Sequence, residues 1–174
     1  LAQAGYLPVV YDNLSRGHAW AIKWGPFERG DLLSPARLAA VMGKHRPFAV
    51  LHFAALAYVG ESVDDPLRYY RNNVGGTINL LQAMRETAVN RIVFSSTCSV
   101  YGVPKKIPIP ENHPQAPLNP YGHSKRIVEQ MLADAASAHA LRSVSLRYFN
   151  AAGADPDGEI GEVHDPETHL IPLA

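Results

Sequence analysis

Apolar residues along this chain fall into two patterns, short continuous runs and longer periodic stretches. Tyr6-Leu7-Pro8-Val9-Val10-Tyr11, Phe48-Ala49-Val50-Leu51-His52-Phe53, Arg91-Ile92-Val93-Phe94-Ser95-Ser96 and Val144-Ser145-Leu146-Arg147-Tyr148 have strand length. The second run is apolar apart from His52, the pattern of a strand covered on both faces. Between the runs, apolar residues recur at three- and four-residue intervals. Leu38, Val41 and Met42 follow the start signal Ser34-Pro35, in a helix expected to end near residues 43–47. Leu67, Tyr70, Val74, Ile78, Leu81 and Met84 follow Asp65-Pro66, and Ile127, Val128, Met131, Leu132 and Ala135 mark a helix from Tyr121. Prolines 104, 108, 110, 114, 117 and 120 exclude helix and central strand just before it.

Strands alternating with helices of more than about ten residues predict right-handed crossovers and an α/β fold with a doubly wound parallel sheet. Ligands of such sheets bind beyond the carboxyl ends of the strands. Asp12, the segment Phe53-Ala54-Ala55, Ser96-Thr97 and Tyr148-Phe149-Asn150 are therefore expected to face one crevice.

Composition narrows the choice of partner. Sixteen basic and sixteen acidic side chains balance, so overall charge offers no attraction for nucleic acid or an anionic membrane. No apolar run approaches the roughly 18 residues of a membrane span. Neither partner is expected, and a soluble cytoplasmic setting is the simplest reading. A single cysteine, Cys98, has no internal disulfide partner, which agrees with a reducing compartment. The chain opens at Leu1 inside an apolar phrase and closes on Ile171-Pro172-Leu173-Ala174, which reads as a fragment.

Tyr121 and Lys125 stand four apart, on one face of the expected helix. A free phenol, with a pKa of about 10, is a poor base at neutral pH, but a nearby ammonium favours its ionised form. The spacing lets the two act together, with Lys125 able to lower the phenol pKa, beside the bland reading of a surface tyrosine next to a solvated lysine. Ser95-Ser96-Thr97 at a strand end offers a hydroxyl for the same substrate oxygen. Asp12 closes a strand where an acidic residue would hold ribose hydroxyls, pointing to NAD over its phosphorylated form. His164, Asp165, Glu167 and His169 match no standard zinc spacing, and no metal is expected. Cys98 has no base in any motif and is expected to be a packed thiol, and Trp20 and Trp24 to pack under a loop.

His52-Phe53-Ala54-Ala55, Val59-Gly60-Glu61-Ser62, Asn72-Asn73-Val74, Ser96-Thr97-Cys98-Ser99-Val100-Tyr101-Gly102, Tyr121-Gly122-His123-Ser124-Lys125 and Arg147-Tyr148-Phe149-Asn150 occur in that order. Together they resemble the extended short-chain dehydrogenase/reductase family, in its NAD-dependent epimerase/dehydratase branch, and within that branch the UDP-hexose 4-epimerases. The resemblance implies a Rossmann-type sheet, truncated before its second strand and so without the glycine-rich turn, and lacking most of a C-terminal substrate domain. Residues 1–150 would be an incomplete NAD-binding domain and residues 151–174 the start of the substrate region.

The same resemblance implies NAD-dependent 4-epimerisation of a UDP-sugar, UDP-glucose or UDP-galactose, through a 4-keto sugar. Tyr121 would be the base, Lys125 would hold the nicotinamide ribose, and Thr97 would be the catalytic hydroxyl. Asp12, Asn13, Ser15, Asp31, Leu32, Phe53, Ala54, Ala55, Asn73, Ser95 and Tyr148 would line the cofactor, along with Tyr121 and Lys125. Phe149, Asn150, His169 and Leu170, with Thr97 and Tyr121, would meet the substrate. A homodimer through residues 65–88 and 121–140 is implied as well. UDP-arabinose/UDP-xylose 4-epimerases, other nucleotide-sugar epimerases and dehydratases, and a non-catalytic binding protein of the same fold remain as alternatives. At position 57 this chain has alanine where some relatives carry lysine.

Overall fold

The computed structural model describes residues 1–153, 155–164, 167 and 173–174. Strand β1 (Val10–Asp12) pairs in parallel with β2 (Phe27–Arg29). Strands β3 (Val50–His52), β4 (Arg91–Thr97) and β5 (Arg142–Tyr148) form a second parallel sheet in the order β3-β4-β5. Helix α1 (Pro35–His45) starts on the expected proline and stops where Arg46 turns left-handed, at φ 42°. The parallel pairing and intervening helices are those the apolar pattern requires.

Strand β2 escapes the pattern because it contains only one apolar side chain. Its Glu28 is nevertheless buried, and Arg37, Lys44 and His45 all bond its carboxylate at 2.6–2.7 Å. Lys44, His45 and Arg37 hold that carboxyl at about 2, well below its ordinary value. The charge is buried because it is paired from three sides.

The helix expected after Asp65-Pro66 is not regular. It comprises α3 (Pro66–Tyr69), a π-helical turn (Tyr70–Gly75) and α4 (Gly76–Glu86), and a separate short helix, α2 (Val59–Asp64), precedes it. Asp65 caps α3 by accepting from the Arg68 amide at 3.2 Å. The π turn inserts one extra residue into the helical repeat, a local rearrangement that apolar spacing does not register.

One buried cluster unites Leu38 and Met42 of α1, Leu80, Ala83 and Met84 of α4, Ile92 and Phe94 of β4, and Val128 and Leu132 of α5 (Pro120–His139). Each fully buried side chain of this size contributes roughly 1.5–3 kcal/mol, so the cluster anchors α5 against β4. The opposite face of the sheet is open. Leu51, Val93 and Val144 share one row of the register, and Leu51 and Val144 are exposed, as are Phe48 and Phe53. The expectation that residues 48–53 are covered on both faces is thus corrected, because α1, α4 and α5 all pack on the Ile92–Phe94 side. Trp20 and Trp24 are corrected too: both are half exposed, and Trp20 stacks on His18 with ring centroids 5.7 Å apart. Among the described residues no helix is long and apolar enough to cross a membrane.

Candidate active site

The site is built where α5 begins. Asn119 caps the helix by accepting from the Gly122 amide at 2.8 Å, and Pro120 supplies a first-turn φ. A Cβ on Gly122 would stand 2.9 Å from the Ser99 carbonyl oxygen and 3.0 Å from the Pro117 Cβ. Glycine therefore lets the helix start touch the loop that follows β4, bringing Tyr121 and Lys125 to the carboxyl end of that strand. Thr97, the last residue of β4, is buried beside the Tyr121 phenol and accepts from the Ser99 amide at 3.2 Å.

Lys125 is buried with its ammonium 4.9 Å from the centre of the Phe94 ring and 5.8 Å from that of Tyr121. It donates to the Ser95 carbonyl at 2.8 Å, and burial lowers its pKa to about 8. The Tyr121 phenol moves in the opposite direction from the sequence expectation. Burial raises its pKa, the Thr97 hydroxyl acts against that rise, and Cys98 adds to it. The physical reason is desolvation: burial of the phenol is the largest influence on it, while the Lys125 ammonium lies 5.8 Å from the ring centre and donates to Ser95.

Behind the pair lies a buried polar scaffold. The Asn73 amide, on the π turn, donates to the Leu56 carbonyl at 3.0 Å and to Ser124 Oγ at 3.1 Å, and accepts from the Leu56 amide at 2.8 Å. Ser124 Oγ in turn donates to the Tyr121 carbonyl at 2.7 Å. Asn73, expected to line the cofactor, thus fixes the loop after β3 to the first turn of α5. Replacing Asn73 with alanine leaves both Leu56 backbone groups unpaired, with an expected cost of about 2–3 kcal/mol in chemical denaturation.

His52 is buried beside this scaffold, its Nε2 2.8 Å from Thr77 Oγ1. The single Thr77 hydroxyl proton goes to the Asn73 carbonyl at 2.6 Å, so Nε2 carries the imidazole proton and donates. Burial, aided by the Lys125 charge, lowers the His52 pKa to about 3 and keeps the ring neutral.

The remaining expected residues gather at strand ends. Asp12 closes β1, where its carboxylate accepts from the Leu14 amide at 2.6 Å. Asn13 donates to Asp31 at 2.8 Å and accepts from the Ser15 amide at 2.9 Å. Asp31 also accepts from the Leu33 amide at 2.8 Å, while the Leu32 carbonyl accepts from Asn79 at 2.8 Å. Phe53 and Ala54 are exposed and Ala55 half-buried beyond β3. Ser95 faces Lys125 through its carbonyl, and Tyr148, Phe149 and Asn150 are exposed at and beyond the end of β5. His169 and Leu170 lie outside the described residues.

Glu61 was not singled out from sequence. Its carboxylate accepts from Arg16, Arg68 and Tyr69, each at 2.8 Å, and so joins the loop after β1 to α2 and α3. Cys98, half-buried, lines a 350 Å³ cavity with Ser99, Gly102, Asn119 and Phe149, next to Thr97. Glu162, His164 and Glu167 bring their ligand-type atoms within 4.8 Å of one another, and His164 pairs with Glu162 at 2.9 Å. None of these three was expected to act on a metal.

Residues 1–173 match the NAD dependent epimerase/dehydratase family. The chain belongs to that family. Within the family, it is 59% identical over 174 residues to a UDP-glucose 4-epimerase of Rhizobium leguminosarum bv. trifolii, covering all of this chain and 53% of the relative. A UDP-glucose 4-epimerase of Rhizobium meliloti (strain 1021) is 57% identical over the same span, again covering all of this chain and 53% of that protein. The solved UDP-glucose 4-epimerase from Brucella ovis in complex with NAD superposes with a TM-score of 0.97 at 62% identity, over 99% of this chain and 53% of that one. The chain spans about half the length of the curated relatives it matches. Family membership bears out the resemblance drawn from the ordered motifs.

Proposed function

We propose that residues 1–174 are the catalytic half of an NAD-dependent UDP-glucose 4-epimerase, with residues 1–150 in its dinucleotide-binding domain and residues 151–174 opening its substrate region. The observation that carries this reading is the meeting of buried Thr97, at the carboxyl end of β4, with Tyr121 at the start of α5, one helical turn from buried Lys125. Parallel sheets bind ligands at that end.

The donor set fits a dinucleotide. Asp12 and Asp31, joined through Asn13, stand at the ends of neighbouring parallel strands and present carboxylates suited to ribose hydroxyls. Phe53, Ala54 and Ala55 follow β3 and supply a low wall, and Lys125 and Tyr148 stand on the side of the catalytic hydroxyls. Bound NAD would supply the hydride acceptor and donor at sugar C4 and a positive ring beside the phenol.

Tyr121 has the geometry to take the proton of the sugar 4-hydroxyl and to return it. Burial holds its proton at neutral pH, so ionisation depends on positive charge arriving beside it. Thr97 donates to the same oxygens, stabilising charge on the phenolate and on the oxidising sugar oxygen. Lys125, buried and pinned to Ser95, adds a fixed cation to the pocket. Phe149 and Asn150, exposed past β5, are available to the sugar.

The test is a coupled assay of the full-length enzyme offered UDP-galactose and UDP-arabinose separately, with no NAD beyond what copurifies. Conversion of UDP-galactose to UDP-glucose is expected. Conversion of UDP-arabinose alone would move the substrate to a pentose, and no conversion of either with NAD demonstrably bound would overturn 4-epimerisation.

A further inference from the structure

One acidic side chain on α5, two turns beyond Tyr121 and one beyond Lys125, belongs to none of the roles above. Glu129 is largely buried, its side chain 10% exposed. Its Oε1 accepts from Ser96 Oγ at 2.5 Å and from Arg147 Nε at 3.0 Å. Its Oε2 accepts from Arg147 Nη2 at 2.6 Å and from Gln115 Nε2 at 3.0 Å. Arg147 continues the network, donating from Nη1 to the Tyr101 hydroxyl at 2.8 Å and to the Glu111 carbonyl at 3.0 Å. The Tyr101 ring then meets His113 edge-on, and His113 accepts from the Lys105 amide at 3.0 Å.

The strand register gives this network its meaning. Ser96 pairs with Arg147, and the next pair is Thr97 with Tyr148. Glu129 thus grips two adjacent strands one residue before each delivers its functional side chains: Thr97 on β4, and Tyr148, Phe149 and Asn150 on β5. Through Gln115, Tyr101 and the Glu111 carbonyl it also ties down the proline-rich segment that leads into Asn119 and Tyr121.

We propose that Glu129 is a positioning residue, whose carboxylate sets Thr97 and the end of β5 in register with Tyr121 through Ser96 and Arg147. It touches neither substrate nor cofactor. The proposal rests on the 4-epimerase reading of the site. A carboxylate of this kind acts on the rate by geometry, because displacing reacting groups by about 1 Å costs on the order of 100-fold in rate.

The experiment compares Glu129→Gln and Ser96→Ala with the unaltered full-length enzyme. Ser96→Ala leaves the Glu129–Arg147 pair intact and guards against a variant that merely fails to fold. For Glu129→Gln, kcat is expected to fall about tenfold while KM for UDP-galactose and the NAD content stay within about twofold. Ser96→Ala should lower kcat in the same direction by a smaller factor.

Unchanged kcat in both variants overturns the proposal, as does a loss of kcat that only tracks falling melting temperature and NAD content. A second readout is independent of turnover: amides of residues 96–99 should exchange with deuterium at least about threefold faster in Glu129→Gln. If the unaltered enzyme converts no UDP-sugar, the functional reading fails, and the exchange experiment alone still decides the positioning role.

Discussion

Replacing Tyr121 with phenylalanine in the full-length enzyme is expected to lower turnover by about 100- to 10,000-fold, the range supplied by a positioned acid–base group. The substitution keeps the ring, whose centre lies 5.8 Å from the Lys125 ammonium, and removes only the oxygen. NAD content measured after denaturation should be unchanged, and stability should fall by no more than about 1 kcal/mol, the net worth of one polar contact of the phenol. Turnover within about threefold of the unaltered enzyme would remove Tyr121 from the mechanism.

Lys125→Met is expected to abolish most activity and at the same time to stabilise the fold. The lysine is buried and its folded pKa is about 8, against about 10.5 when exposed. At pH 7 both states carry the proton, and folding bears the full cost of burying the charge, on the order of 3 kcal/mol before the Ser95 bond is credited. Methionine fills a similar volume without the charge, so a net gain of about 1–3 kcal/mol is expected in urea unfolding at pH 7.

The pH dependence separates this from better packing. Between pH 8 and about 10.5 the unfolded chain keeps a proton on Lys125 that the folded chain has released, so the unaltered protein gains stability as pH rises. The advantage of Lys125→Met should therefore shrink between pH 7 and pH 9.5. A constant difference across that window would show that Lys125 is not charged at a cost in the fold.

The strands that position the site were legible as short apolar runs, although only one face of β3 and β4 is covered, and α5 was legible as a periodic stripe. The Tyr121 and Lys125 pair was legible because helical spacing alone puts them on one face. Other features left no such trace. Strand β2 is carried by Glu28, a buried charge that becomes tolerable only through three partners distant in sequence. Glu129 reads in sequence as one more charged helix position, and its role depends on Ser96 and Arg147 meeting across a strand register. The direction of the Tyr121 shift could not be inferred from spacing, since it turns on how deeply the phenol is buried.

The π turn at Tyr70–Gly75 constrains how this helix can change length. Each residue added to or removed from an α-helix rotates everything beyond it by about 100°. Deleting one residue in the turn would restore regular geometry but swing Leu80 and Met84 away from α1 and β4, or else Tyr69 away from Glu61. The two ends of the helix are thus phased for different neighbours, and the surplus residue is the phase correction between them. Insertions and deletions should be tolerated in the loops on either side well before they are tolerated in this single turn.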